Sequence, residues 1–342
     1  MQELADRFAR YAAHRMPEAR EVRVSALARI HGGASRETFR LRLHWREGGR
    51  ERERGLILRR DPPASLIETE RSHEFRAYQA FHPSDVPVPE PLWLEEDPGW
   101  LERPFFVMEQ VEGCESALRA LGEPPYAEHR ERLGRRKWQI LGAIARSDPQ
   151  QLGLAPERDL PDPAACWERE LARWEEVIDA DALGPEPVVR AAIRWLRRQP
   201  PPPAERVGVV HGDYRSGNFL FDAEGRIRAI LDWEMWHLGD PLEDLGWSLN
   251  PLWSWPDRKL AGRLLPRKDA IAVWEAASGL RATAEAIRWW EIFAIVKSLA
   301  IWISSAREYA DGRSGDPTLA LVGWVIKGVQ DRIALEALGR WR

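Results

Sequence analysis

Residues 207–232 restrict the fold more than any other stretch of the chain. A β-branched run at 207–210 reads as a short buried strand. It opens into His211-Gly212-Asp213-Tyr214-Arg215-Ser216-Gly217-Asn218, where Gly212 and Gly217 permit a tight loop around Asp213. Phe219-Leu220-Phe221 then predicts a strand, Asp222-Ala223-Glu224-Gly225 a turn, and 227–231 a returning strand that ends at Asp232. Such a hairpin is expected to return Asp232 beside Asn218.

The pattern carries a carboxylate, an amide five residues on, and a second carboxylate fourteen residues further. Such a set suits phosphoryl transfer, because its catalysis is mostly positioning and charge neutralisation. Asp213 would orient the attacking hydroxyl. Asn218 and Asp232 would offer hard oxygen ligands of the kind Mg²⁺ takes while sharing the substrate phosphates. The plain alternative makes Asp213 and Asp232 turn and capping acids.

The assembled residues resemble the aminoglycoside phosphotransferase/choline kinase-like superfamily, a relative of the protein kinases. The resemblance covers His211-Gly212-Asp213, Asn218, Ile230-Leu231-Asp232-Trp233-Glu234, Leu238-Gly239-Asp240-Pro241 and Asp244-Leu245-Gly246-Trp247. The Asp213-to-Asn218 offset is also that of the protein-kinase catalytic loop. His31-Gly32-Gly33-Ala34-Ser35, Val86-Pro87-Val88-Pro89 and Phe105-Phe106-Val107-Met108-Glu109 look closest to the branch with the kinase-like domain fused to certain acyl-CoA dehydrogenases.

The resemblance implies an α+β, bilobal protein-kinase-like fold with a small antiparallel β-rich N-lobe and a larger, mainly helical C-lobe. Residues 1–108 would form the nucleotide-binding lobe, 109–113 the hinge, and 114–342 the catalytic and substrate-binding lobe. It also implies ATP, with GTP as the other candidate, and Mg²⁺. Asp213 takes the place of the catalytic acid, and Asn218 and Asp232 those of the metal ligands. Arg59, ending Leu56-Ile57-Leu58-Arg59, stands where the family has a phosphate-binding Lys, and Glu74 resembles the helix acid that pairs with that cation. Arg keeps the charge but brings a larger, forked donor set. Surface charge is the other reading of both residues.

Gly32, Gly33 and Ser35 read either as a phosphate-binding loop or as a turn ahead of the 38–43 strand. Glu109 and Val111 fall in the hinge, whose backbone groups would meet the adenine edge. Arg215 lies two residues past Asp213, the offset of a Lys in many protein-kinase loops, and would stabilise charge on the transferring group or else face solvent.

Charged residues make up 30% of the chain and nearly cancel, at a net charge of −4, which argues against nucleic-acid binding. Cys114 and Cys166 form neither a metal motif nor a disulfide framework, so a reducing, cytoplasmic setting is expected. The longest apolar stretch, 292–303, is broken by Lys297 and too short to span a bilayer. The resemblance implies a small-molecule hydroxyl acceptor, with monomer and homodimer both left open.

Hairpin strands are expected over 21–60, a helix over 1–16 and another over 65–81, and strands near 92–94 and 105–108. Helices are expected at 130–146, 165–178, 188–198, 269–278, 283–309 and 317–338. Trp253 and Trp255 are read as an apolar acceptor wall or as core. From Leu245 onward fourteen Lys/Arg face ten Asp/Glu, which favours a neutral or anionic acceptor over a polycationic one. The resemblance adds a hydroxyacyl-CoA thioester as a candidate. A nucleotide-binding regulator without turnover and a metal-dependent phosphohydrolase using His211, Asp213, Asn218 and His237 are the competing classes. The absence of D-F-G and A-P-E runs disfavours a protein kinase.

Overall fold

Two-residue alternation builds the first part of the molecule. Phe39, Leu41 and Leu43 on one strand, Leu56 and Leu58 on the next, and Phe105 and Val107 on a third all point to one face. Against that face lies α1 (Gln2–Arg15), which buries Phe8, Tyr11 and Ala12 at helical spacing. Each large side chain so buried contributes roughly 2 kcal/mol before chain entropy is counted.

The computed structural model describes residues 1–30, 37–61, 71–156 and 159–340, so Gly32, Gly33 and Ser35 lie outside the described residues. The chain divides into two units: Met1–Cys114 with Arg228–Glu234, and Glu115–Ile227 with Met235–Arg342. The first holds a five-stranded antiparallel sheet of order β1-β2-β3-β5-β4. Its strands are β1 (Arg20–Ile30), β2 (Glu37–Glu47), β3 (Arg50–Arg60), β4 (Pro91–Glu95) and β5 (Phe105–Glu109). Helix α2 (Arg71–Phe81) covers the opposite face, where Phe75 and Tyr78 meet Phe106 at 5.7 and 6.1 Å. The short α3 (Pro98–Leu101) precedes β5, and β6 (Cys114–Glu115) leads out of the unit.

The second unit is mainly helical: α4 (Arg130–Arg146), α5 (Cys166–Asp181), α6 (Pro187–Arg198), α7 (Leu242–Leu249), α8 (Arg267–Ser278), α9 (Ala284–Ala310), α10 (Pro317–Leu321) and α11 (Lys327–Ala337). A π-helical turn at Val322–Ile326 divides the expected 317–338 helix into α10 and α11. Helix α9 is capped by Thr283 and is its axis, packed by α5, α6, α7, α10 and α11. Gly246 lets α7 approach closely, since a Cβ there would sit 2.6 Å from the Trp290 carbonyl carbon. Strand β7 (Gly208–Val210) pairs antiparallel with β10 (His237–Gly239). The turn after β8 (Phe219–Asp222) is closed by the Asp222 N–H, which donates to Arg226 O at 3.0 Å, and β9 (Ile227–Ile230) carries the chain back into the first unit. The short strands β11 (Leu260–Ala261) and β12 (Leu265–Pro266) pair ahead of α8. Among the described residues no helix is long and apolar enough to cross a membrane.

Candidate active site

The candidate residues form two sets, one in each unit. In the first unit, strand alternation turns Arg59 away from the Leu56 and Leu58 face and toward α2. Its Nη1 donates to Glu74 Oε1 at 2.5 Å and its Nη2 to Asp232 Oδ1 at 2.9 Å. Burial opposes the guanidinium charge, but the carboxylates of Glu74 and Asp232 outweigh it and hold the pKa well above its usual value. Arg59 Nε is buried with no hydrogen-bond acceptor, a donor suited to a phosphate oxygen.

Asp232 adopts φ +66°, left-handed backbone that Asp tolerates better than most residues. Its neighbours hold it there. The Ile230 N–H donates to Pro87 O at 2.8 Å, the Asp232 N–H to the Tyr78 hydroxyl at 3.1 Å, and Trp233 stacks on Phe81 at 4.5 Å. At the end of β5, where the hinge was expected, Glu109 accepts from the Glu90 N–H at 3.1 Å. Val111 is half-buried, and its backbone N–H and C=O have no hydrogen-bond partner among the described residues.

The second set is the loop after β7. Gly212 has φ +86°, and a Cβ there would lie 2.4 Å from Met235 O, so no other residue fits without rearrangement. Asp244 on α7 ties the loop down, accepting from the His211 N–H at 2.6 Å and the Gly212 N–H at 3.0 Å. Burial and the Glu243 charge push the Asp244 carboxyl up to about 7, against the pull of those two donors. Asp240, also buried, accepts from the Leu242 N–H and Trp290 Nε1. Both acids therefore anchor backbone and fold.

Asp213, with 17% of its side chain exposed, is gripped by three donors. Trp247 Nε1 donates to Oδ1 at 2.9 Å, Asn218 Nδ2 to Oδ2 at 2.8 Å, and Arg215 Nε to both at 3.1 and 3.2 Å. A carboxylate offers about four lone-pair sites, and these contacts occupy them, with the Arg215 N–H shared between the two oxygens. Asn218 Nδ2 also donates to Asp213 O at 2.9 Å, which aims the amide oxygen elsewhere. That oxygen accepts no hydrogen bond among the described residues and is a hard ligand of the kind Mg²⁺ takes. Arg215 lies over the Trp253 ring at 5.5 Å, and Trp253 packs on Trp247 at 5.2 Å, whereas Trp255 is 61% exposed.

Several residues that shape this loop were given no part in supporting it from the sequence, although His237 was named there as a phosphohydrolase ligand and Lys297 as a break in an apolar run. Trp247 appeared there only within a motif, with no hint that its indole reaches Asp213. Lys137 on α4 is fully buried and donates to Ser216 Oγ at 3.3 Å. Lys297, Glu243, His237 and Glu170 form a buried cluster beneath the loop. The lone Lys in the apolar 292–303 run was the available signal for Lys297. Glu170, His237 and Glu243 lie close enough to hold a metal ion. However, His237 Nδ1 faces Met235 O at 3.1 Å and Nε2 faces Glu243 Oε2 at 3.0 Å. Two acceptors demand two ring N–H donors, which makes the ring an imidazolium and leaves no lone pair for a metal. Burial opposes that charge, but Glu243 and Glu170 outweigh it and raise the His237 pKa.

A protein of Ralstonia eutropha assigned provisionally to the aminoglycoside phosphotransferases superposes with a TM-score of 0.76 at 21% identity, over 98% of both chains. The aminoglycoside phosphotransferase APH(4)-Ia, in a ternary complex with AMP-PNP and hygromycin B, superposes at 0.58 and 18% identity, over 97% of this chain and 99% of that one. These likenesses establish the expected α+β, protein-kinase-like fold. The model of the phosphotransferase enzyme family matches residues 26–280, and the chain belongs to that family. Acyl-CoA dehydrogenase family member 11 of Gallus gallus is 29% identical over 227 residues, 66% of this chain and 27% of that protein. Acyl-CoA dehydrogenase family member 10 of Mus musculus is 31% identical over 228 residues, 65% of this chain and 20% of that protein. The chain thus matches only about a fifth to a quarter of these curated relatives' length.

Proposed function

We propose that this protein transfers the γ-phosphoryl group of ATP to a hydroxyl group of a small-molecule acceptor. The observation that carries the reading is the Asp213 carboxylate, partly exposed and held by Asn218, Trp247 and an Arg215 N–H shared between its two oxygens, the contact an acceptor hydroxyl would displace. The acceptor oxygen attacks the γ-phosphorus and its proton passes to Asp213, while the bond to the bridging oxygen breaks and ADP leaves. Placing the hydroxyl supplies most of the acceleration, so the modest basicity of a carboxylate suffices.

Arg59, steadied by Glu74, offers its unpaired Nε–H to the non-transferred phosphates. Asn218 and Asp232 are the proposed Mg²⁺ ligands, and the bound ion would neutralise charge on the phosphate oxygens. Gly32, Gly33 and Ser35 are proposed to cover the phosphates, and the Glu109–Val111 backbone to meet the base. Arg215 is proposed to turn toward the transferring group once the acceptor engages Asp213. In this reading residues 1–108 bind nucleotide, 109–113 form the hinge, and 114–342 hold the catalytic loop and acceptor.

The acceptor is proposed to be neutral or anionic. The slightly basic composition beyond Leu245 supports that reading, and the relatives named as acyl-CoA dehydrogenase family members add a hydroxyacyl-CoA thioester to the candidates.

A coupled ADP-release screen tests the proposal. Hydroxylated metabolites, acyl-CoAs and aminoglycosides are offered with ATP or GTP, and Asp213→Asn serves as the blank. The expected result is a hit whose product gains the mass of one phosphate. Free phosphate released at the same rate without any acceptor would indicate a phosphohydrolase, and nucleotide binding with no product across the panel a silent regulator. Either result would overturn the proposal.

A further inference from the structure

Lys297 lies in the middle of α9, 1% exposed, among Ile, Ala, Val and Leu. Burying an ammonium costs several kcal/mol unless its partners compensate, so those partners are informative. Its Nζ donates to the Gly212 carbonyl at 2.6 Å and to Glu243 Oε1 at 2.9 Å. It also sits over the Trp247 ring at 5.0 Å and the Trp174 ring at 5.5 Å. Glu243 in turn meets the His237 imidazolium, with Glu170 3.7 Å beyond, so two cations are balanced by two carboxylates.

The contact with Gly212 is not needed for that charge balance. The Gly212 carbonyl and the Asp213 N–H are opposite ends of one peptide group. The carbonyl end accepts from Lys297, and the N–H end donates to His211 Nδ1 at 3.1 Å. The peptide immediately ahead of the Asp213 Cα is therefore tied at both ends. The two peptides before it are held through their N–H groups by Asp244. Past the Cα, the indole lying under the same ammonium donates to Asp213 Oδ1.

We propose that Lys297 is a positioning residue for phosphoryl transfer: through the Gly212 carbonyl and the Trp247 indole it fixes the direction in which Asp213 presents its carboxylate. The catalytic consequence rests on the proposed function, whereas the pinning of the loop belongs to the fold alone. Lys297 touches neither nucleotide nor acceptor in this scheme. Its loss therefore lowers turnover and leaves nucleotide binding intact.

The experiment uses charge-neutral pairs, because removing Lys297 alone would leave the Glu243 and Glu170 carboxylates against the His237 imidazolium. Lys297→Met/Glu243→Gln deletes the donor to Gly212. Lys297→Gln/Glu243→Gln keeps an amide donor in its place. Two readouts are taken on the full chain. Amide hydrogen exchange at residues 212 and 213 is expected to speed up about tenfold in the Met pair, the factor for one modest hydrogen bond, with the sheet of the first unit unchanged. With an acceptor in hand, kcat is expected to fall about 100-fold at unchanged KM for nucleotide, the cost of ångström-scale misplacement, and to recover partly in the Gln pair.

Wild-type exchange and wild-type kcat in the Met pair would overturn the inference. Slower turnover with unchanged exchange, not relieved in the Gln pair, would overturn it as well. Should the Met pair not fold, the Gln pair against wild type carries the same comparison. If the wild-type protein phosphorylates nothing, the proposed function fails, and exchange alone still decides whether Lys297 pins the loop.

Discussion

Replacing Lys137 with methionine is predicted to stabilise the protein. The Lys137 ammonium is fully buried beside the 211–218 loop, with Ser216 Oγ as its hydrogen-bond partner and the Trp138 ring 4.4 Å away. Burial lowers its pKa from 10.5 to about 7. The folded pKa lies below the unfolded one, so between pH 7 and 10.5 the unfolded chain binds more protons and stability rises with pH. Below pH 7 the charge is retained at a cost of about 5 kcal/mol, from roughly 3.5 units at about 1.4 kcal/mol each. The cation–π contact and the bond to Ser216 offset about 2 kcal/mol. A methionine of similar length removes both contributions, for a net gain of about 3 kcal/mol at pH 6. That corresponds to a rise in melting temperature of roughly 4 °C for a protein of this size. Calorimetric melts of wild type and Lys137→Met from pH 6 to 10 would show the two converging as pH rises. A variant that melts at or below wild type at pH 6, or a gap that does not narrow toward pH 10, would refute the reasoning.

Three further predictions concern the loop and its support. Gly212→Ala introduces a Cβ 2.4 Å from Met235 O at φ +86°, and thermal melts should show a loss of about 3 kcal/mol or more. Trp247→Phe keeps most of the ring but deletes the N–H on Asp213, so steady-state kinetics should show kcat about tenfold lower with little change in melting. His237 has a raised folded pKa, so its stabilising contribution is complete below its ordinary value of 6.5 and is lost as pH rises through the folded pKa. Urea titrations should show His237→Gln losing most stability at acid pH and approaching wild type above that range.

Patterns with a short repeat were legible in the sequence. The strands of the first unit showed as alternation, and helices α4, α6, α8 and α9 fell within a few residues of their expected bounds because apolar residues recur at helical intervals. The β1 alternation is blurred by register shifts at Arg20/Arg23 and Ser25/Ala28, which change which side chains face inward. Helix α7 was read only as a motif, since every one of its residues is buried and no polar face marks its period. The motif itself named Asp213, Asn218 and Asp232, but the structure supplied what holds them. Asp244 on His211 and Gly212, Lys297 on Gly212, and Trp247 on Asp213 are contacts over 32 to 85 residues of chain. Single-chain periodicity carries no information about such pairings. The Arg59 contacts with Glu74 and Asp232 show the same limit, since only the pairing with Glu74 was expected.

The central claim is that Asn218 and Asp232 bind the metal of a metal–nucleotide complex while Asp213 acts on the acceptor. Calorimetric titration of AMP-PNP, with and without Mg²⁺, into wild type, Asp213→Asn and Asp232→Asn tests it most directly. The account predicts Mg²⁺-dependent binding to wild type and to Asp213→Asn alike, and loss of the Mg²⁺ dependence in Asp232→Asn. Equal affinity with and without Mg²⁺ in the wild-type protein, or undiminished Mg²⁺ dependence in Asp232→Asn, would contradict it.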